Sequence, residues 1–305
     1  MTLPRIYTDE TAAREHLEAL LWPEGPICPH CENADPDRIH KLAGKSTRPG
    51  VFKCRECEKP FTVTVGTVFE RSKIKLHVWV YATHLLTSSK KGISSHQLSR
   101  MLHVSYKTAW FMTHRIREAM RPASLTPMGG PTSIVETDET IFGKTELAPK
   151  GRAKRHSWGR NIVLTLVERG GSARSFKVDS ISQGVIWPII AKNLRRESDL
   201  MTDEAPRYKA IGRQFATHNS VNHSKKEYVR DGYIHSNTVE NYYSIFKRGM
   251  KGIYQHCSEK HLHRYLSEFD FRYSHRIALG IDDAMRADKA LEGIKGKRLT
   301  YRRPH

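Results

Sequence analysis

The sequence predicts an α/β chain with a mixed sheet, headed by a small metal-stapled ribbon and a helical module. Three observations lead there. Two matched cysteine pairs stand near the N-terminus, capped helical periods run across 72–121, and strand periods begin after a Pro/Gly-rich segment.

The pairs are Cys28-Pro29-His30-Cys31 and Cys54-Arg55-Glu56-Cys57. A C-x-x-C turn lets two thiolates share a tetrahedral zinc ion, and two such turns close a four-thiolate site. The 22 residues between Cys31 and Cys54 are ample for a hairpin. Redox C-x-x-C occurs singly near a βαβ pattern, so thioredoxin-like chemistry is set aside. A chance pairing of unrelated cysteines is the competing reading, and the matched spacing weighs against it. A closed four-thiolate site leaves zinc no open position for water, which makes this zinc structural. Cys257 stands alone and reads as an inert thiol.

At 305 residues the chain is long enough for two domains. Its 51 Lys and Arg against 32 Asp and Glu give a formal charge of +19, whose default partner is a polyanion, nucleic acid before membrane. No apolar run approaches the ~18 residues of a membrane span. The acidic start (Asp9, Glu10, Glu15, Glu18) lacks the apolar stretch of a signal peptide. A cytoplasmic protein follows, and metal-bound thiolates suit that compartment.

Element by element, 8–21 reads as an amphipathic helix ended by Trp22-Pro23-Glu24-Gly25, and Phe61–Val65 as a strand after the second cysteine pair, turned by Gly66. Three helical pieces follow. The first starts at Ser72, the second is capped by Ser94 or Ser95, and the third by Ser105, carrying Lys107, Arg115 and Arg117. A short helix, a tight turn and a longer basic helix follow helix-turn-helix logic, against the alternative of a plain three-helix bundle with solvated charges. Beyond the Pro/Gly segment, Ser133–Gly143, Asn161–Gly171 and Ser172–Ser180 read as antiparallel strands, with Gly170-Gly171 as a turn. A helix over Ile181–Leu194, a strand over Asp199–Asp203 and helices over Asn237–Lys247 and Ser258–Tyr273 complete the layout. The domains read as an N-terminal helix (1–25), zinc ribbon (26–70), helix-turn-helix-like module (71–121), linker (122–131), α/β domain (132–280) and basic tail (281–305).

Three carboxylates stand out. Asp138 lies mid-strand among apolar residues, where an acid is costly unless it serves something. Asp203 ends a strand, where open α/β sheets place their ligands. Glu240 opens a helix. Converging carboxylates suit Mg²⁺ or Mn²⁺, and such ions serve phosphodiester displacement. Each has a structural alternative: Asp203 as a turn residue, and Glu240 as part of a near capping box with Asn237. Glu139 points to the opposite sheet face and competes with Asp138, while Glu136 shares Asp138's face as a further candidate acid.

The chain resembles bacterial insertion-sequence transposases of the ISXO-like family, which join a zinc ribbon to an RNase-H-like DDE core. The resemblance covers nearly the whole chain. It rests on Trp22-Pro23, the cysteine pairs, Glu136-Thr137-Asp138-Glu139-Thr140, Asp203 and His235-Ser236-Asn237-Thr238-Val239-Glu240. It continues through Lys247-Arg248-Gly249, Gly252-Ile253-Tyr254, His261-Leu262, Arg264-Tyr265-Leu266, Glu268-Phe269, Phe271-Arg272 and Arg276. It implies Asp138, Asp203 and Glu240 as the magnesium- or manganese-binding catalytic triad, with Glu240 preferred to Asn237 as the third acid. Lys247, seven residues beyond Glu240 and about 10 Å along the helix, becomes a catalytic phosphate-gripping residue. His235 is left between phosphate contact and packing. The implied activity is binding of terminal inverted repeats, strand cleavage and strand transfer on double-stranded DNA, by a homodimer or higher oligomer associated with the bacterial nucleoid. Non-specific grip is expected from Lys150–Arg160 and the tail Ala284–His305. Two alternatives stay open: a DNA-binding regulator without catalysis, and an RNase-H-fold nuclease.

Overall fold

The computed structural model describes residues 3–143, 161–221 and 229–300. The basic stretch Lys150–Arg160 and the last five residues of the tail lie outside the described residues. The chain forms two compact units: Pro122–Ile281, and a second assembled from Met1–Arg121 together with Asp282–His305.

In the N-terminal unit, α1 (Glu10–Leu21) begins where Asp9 accepts from the Ala12 N–H at 2.7 Å, and it buries Ala13 and Leu17. Trp22 ends it and packs edge-on against Phe52 and Phe61, joining helix to ribbon. The ribbon is a three-stranded antiparallel sheet of β1 (Ile39–Lys41), β2 (Phe52–Cys54) and β3 (Pro60–Phe61). The strand expected over Phe61–Val65 stops at Phe61. Val65 N–H bonds back to Thr62 O at 3.0 Å, the Thr62 and Thr64 hydroxyls pair at 3.0 Å, and Gly66 takes φ +73°. Hydroxyl and glycine turn chemistry here outweighs β-branched propensity.

Three helices follow: α2 (Leu76–Ser88), α3 (Ser95–Leu102) and α4 (Tyr106–Met120). Ser94 caps α3 by accepting from Gln97 N, and Ser105 caps α4 by accepting from Thr108 N. Ser72, expected to open the first helix, instead accepts from Ile74 N and from the indole of buried Trp79. Arg115 and Arg117, grouped with Lys107 as the cations of α4, face inward. Arg115 donates to Leu299 O and lies over the Phe111 ring, and Arg117 is fully buried with a bond to Thr113 Oγ1. Lys107 remains exposed at the start of α4.

The segment expected as a basic tail instead contains α9 (Asp283–Glu292), which packs on α2. Ala287, Ala290, Leu291 and Ile294 are buried, an i, i+3, i+4, i+7 face that charge counting obscured. Val68 N bonds Ile294 O, Gly296 N bonds Gly66 O, and Lys297 Nζ donates to Ala119 O and Arg121 O at the end of α4. The burial of that apolar face is the physical reason the segment is not a free tail.

The second unit centres on a five-stranded sheet in the order β6-β5-β4-β7-β8. Strands β4 (Ile134–Phe142), β5 (Asn161–Glu168) and β6 (Ala173–Val178) are antiparallel; β7 (Asp199–Asp203) and β8 (Thr217–Val221) run parallel to β4. A hairpin meander followed by parallel strands on its far edge is the expected RNase-H-like mixed sheet. Helices cover both faces, so β5 reads as nearly continuous apolar residues. Val135, Leu164, Leu166 and Leu200 pack with α5 (Gln183–Asn193) and α6 (Arg207–Gly212). Val163 and Val167 pack with α7 (Asn237–Gly249) and α8 (Leu262–Ser274) through Tyr243, Phe246, Leu266 and Phe269.

Helix α6 and strand β8 were not expected. Thr217-His218-Asn219-Ser220-Val221 carries no apolar alternation, because among the described residues it is an edge strand paired only with β7. The linker also proves shorter than 122–131. Met128 is buried and its N–H bonds Asn193 O, while a Cβ at Gly129 (φ +81°) would lie 2.1 Å from Ser198 Oγ.

Candidate active site

Strand register sets the first two acids. In the parallel pair β4–β7, Glu136 stands opposite Met201. The paired register ends there, and Asp138 and Asp203 lie two residues further along their strands, on the face that Glu136 and Met201 share. Asp203 closes β7, at the carboxyl end of the sheet, and accepts from Ala205 N. Asp138 accepts from the N–H of Glu139 at 2.8 Å. Burial foremost, and with it the charges of Glu139, Asp203 and Glu240, brings the Asp138 carboxyl up to about 7 against the pull of that N–H. Asp138, Asp203 and Glu240 are thus electrostatic neighbours. They are less tightly drawn than the cysteines, the one group among the described residues whose ligand atoms all lie within 4.8 Å. Hard oxygen donors whose charges bear on the raised Asp138 carboxyl fit a divalent cation, which would relieve that repulsion.

Glu240 sits in the first turn of α7 and is exposed. The expected competition, a capping role with Asn237, does not arise in that form. Ser236 is the N-cap and makes no side-chain cap bond. The amides Ser236 would have capped are taken by Glu136, whose Oε2 accepts from Thr238 N at 2.8 Å and Val239 N at 2.9 Å. Its Oε1 accepts from Thr238 Oγ1 and from Arg169 Nε at 2.6 Å. Glu136 is fully buried on Asp138's face of β4, so α7 is capped by a carboxylate from the strand beneath it. Tyr243, one turn past Glu240, donates to Asp138 O at 2.6 Å.

Glu139, the nearest competitor to Asp138, is spoken for. It receives two bonds from Arg207 at 3.1 and 2.8 Å and one from Tyr208 at 2.7 Å. Lys247 is half-buried on α7, with Nζ 5.9 Å from the Tyr243 ring centre. His235 packs in the Glu136 network. Arg169 Nη2 at 3.0 Å and Asn237 N at 3.3 Å both approach its Nδ1, which is therefore the acceptor. The same Nδ1 lies 3.2 Å from Glu136 Oε1. Arg169 was not anticipated; it also donates to Tyr233 O and His235 O. Its one sequence signal is a cation directly before the Gly170-Gly171 turn. On α8, Asp270 is held by Ser175 and Tyr242, and burial raises it to about 6.

The four ribbon cysteines converge as the spacing predicts. Cys28 and Cys57 sulfurs are 3.6 Å apart, and Cys31 and Cys54 sulfurs 3.7 Å. A tetrahedron with zinc–sulfur bonds of about 2.3 Å has edges of about 3.8 Å, so the thiols fit zinc. The N–H groups of Cys57 and Glu56 and the Asn33 amide hold Cys54 down at about 6 against burial, favouring the thiolate.

Two family models match the chain: an ISXO2-like transposase domain over residues 129–274 and a transposase zinc-ribbon domain over residues 8–60. A relative described as an uncharacterized protein in transposable element ISH50 of Halobacterium salinarum is 26% identical over 279 residues, covering 88% of this chain and 92% of the relative. Two solved structures align at low similarity. The Mos1 mariner paired end complex with Mn has 13% identity, 93% and 90% coverage and TM-score 0.28; the pre-cleavage Mos1 transpososome has 10%, 96% and 95%, and 0.27. Scores this low define no shared fold. Ribbon and sheet domain together define the class as a DNA transposase. The chain belongs to the insertion-sequence transposases that carry a zinc ribbon and an ISXO2-like transposase domain.

Proposed function

We propose that this transposase binds the terminal inverted repeats of its element and catalyses metal-dependent strand cleavage and strand transfer, with Asp138, Asp203 and Glu240 as metal ligands. The observation that carries the reading is the raised Asp138 carboxyl with Asp203 and Glu240 as charged neighbours. Bound there, Mg²⁺ or Mn²⁺ supplies the charge that eases deprotonation of an attacking hydroxyl and stabilises the leaving oxygen. The chain's own task is positioning. Asp138 and Asp203 each follow the last register pair of β4 and β7 by two residues, and Glu136 and Tyr243 hold α7, which carries Glu240 and Lys247. Lys247 supplies a phosphate contact two turns from Glu240. Address reading falls to the ribbon and to α3–α4, where Lys107 is exposed. Pairing two transposon ends calls for a dimer or higher oligomer, acting on nucleoid DNA in the cytoplasm.

The test is Asp138→Asn, with cleavage of an end-bearing duplex and binding to the same duplex measured together. Cleavage should fall by at least about 10³-fold while end binding stays within twofold. Unchanged cleavage would remove Asp138 from the reaction. Joining of a pre-cut end to target DNA separates a transposase from a nuclease that only cuts.

A further inference from the structure

Glu136 has the position of a catalytic acid and the surroundings of an anchor. It shares a strand face with Asp138, two residues or about 7 Å away, yet its side chain is fully buried and its oxygens are committed. Two donors reach each oxygen: Arg169 Nε and Thr238 Oγ1 on Oε1, and Thr238 N and Val239 N on Oε2. That leaves little capacity for a cation. The two amides are the second and third of α7, the ones an N-cap side chain normally takes. Arg169 neutralises the carboxylate and carries the connection outward, to Tyr233 O at 2.7 Å and His235 O at 2.9 Å. Glu240 is the residue immediately after Val239. On its other side, Tyr243 is bonded to Asp138 O and Val163 O.

We infer that Glu136, with Arg169, is a positioning residue that sets the separation between Asp138 and Glu240. One strand carries both the acid and the anchor, so the distance from Asp138 to the α7 amides is fixed by two residues of extended chain. The pins at Thr238–Val239 and at Tyr243 then bracket Glu240 along the helix. A buried Glu–Arg pair placed only for stability need not lie on the strand of one acid and the helix turn of another. The inference rests on the proposal that Asp138 and Glu240 are metal ligands.

The test uses the full chain with zinc loaded, comparing wild type, Glu136→Gln and Asp138→Asn. Mn²⁺ binding to the DNA-free protein is followed by paramagnetic resonance, backbone hydrogen exchange over 236–243 by mass spectrometry, and cleavage and end binding on a duplex. For Glu136→Gln the expected results are Mn²⁺ half-saturation raised about tenfold, lost protection in the first turn of α7, and cleavage down about 10–100-fold. That cleavage should recover in part at high Mn²⁺, with end binding within twofold. Wild-type Mn²⁺ affinity in Glu136→Gln would overturn the inference. So would a loss of cleavage as complete as in Asp138→Asn with no recovery at saturating Mn²⁺, because Glu136 would then be a ligand itself. If Asp138→Asn binds Mn²⁺ and cleaves normally, the triad reading fails, whereas the exchange data on Glu136→Gln report on the anchor alone. Should Glu136→Gln not fold, Thr238→Val removes one donor to Oε1 and should raise Mn²⁺ half-saturation about threefold to fivefold. No change in that variant overturns the inference.

Discussion

Leu291→Ala tests whether the returning C-terminal segment is part of the N-terminal unit. Leu291 is 1% exposed on the inner face of α9, which packs on α2. Truncating a buried leucine costs about 2–5 kcal/mol, through lost transfer energy and the cavity left behind. A value of about 3 kcal/mol raises the unfolded fraction of that unit roughly a hundredfold. Met285, on the same helix but 46% exposed, provides the control, and Met285→Ala should stay within about 0.5 kcal/mol. The assay is native-state hydrogen exchange of α2 in the full chain, which reports opening of this unit separately from the sheet domain. Removing 282–305 altogether eliminates four buried apolar side chains and the Lys297 bonds to the end of α4. Residues 1–121 alone should therefore show no cooperative unfolding even with zinc bound. Equal effects of Leu291→Ala and Met285→Ala, or a cooperative transition in the 1–121 fragment, would refute the reasoning.

The Asp138 carboxyl, held at about 7, lies above its unfolded value of about 4. Between those pH values the folded chain binds more protons than the unfolded chain, so stability falls as pH rises through the window. Zinc-loaded protein without other divalent ions should lose part of this slope in Asp138→Asn, and the variant should melt higher than wild type at pH 8. Asp270, at about 6, retains a similar slope, and an unaltered slope in Asp138→Asn would contradict the burial argument. On α4, Lys107→Ala should weaken binding to all duplexes alike and flatten the salt dependence by about one counterion. Residues Arg71–Arg117 contain no Asp or Glu, so the segment that carries Lys107 is uniformly basic in sequence. Substituting the inward-facing Arg117 should instead lower stability, and a salt slope that responds to Arg117 but not to Lys107 would reverse the assignment.

Much of this fold was legible because its signals are local. The Gly170-Gly171 turn, the Ser94 and Ser105 caps and the continuous apolar run of β5 each follow from a few neighbouring residues. The cysteine spacing is local within each turn, and zinc geometry supplies the remaining constraint. Legibility failed where identity did not determine direction. Arg115 and Arg117 read as DNA-facing cations because a sequence states charge, whereas their burial depends on aromatic and backbone partners such as Phe111 and Leu299. Strand β8 was missed because its polar residues satisfy backbone pairing with β7 without needing an apolar face.

The first turn of α7 shows where a local rule gave a wrong competitor. Asn237 and Glu240 stand three apart, as in a capping box, and that reading would have consumed Glu240 in backbone bonding. The structure starts the helix one residue earlier, at a Ser236 cap whose side chain makes no cap bond. The free amides are satisfied by Glu136, about 100 residues upstream, so no window on the local sequence could have found the donor's partner. Capping by a remote carboxylate has a consequence that capping by a neighbour lacks. A neighbour holds only the helix to itself, whereas Glu136 ties the helix to one strand at one position. Glu240 accepts from Ser236 Oγ at 3.4 Å, and the bonds of Glu136 and Tyr243 fix the turn that carries it, so the acid that looked most replaceable in sequence belongs to a helix start set from the strand of Asp138.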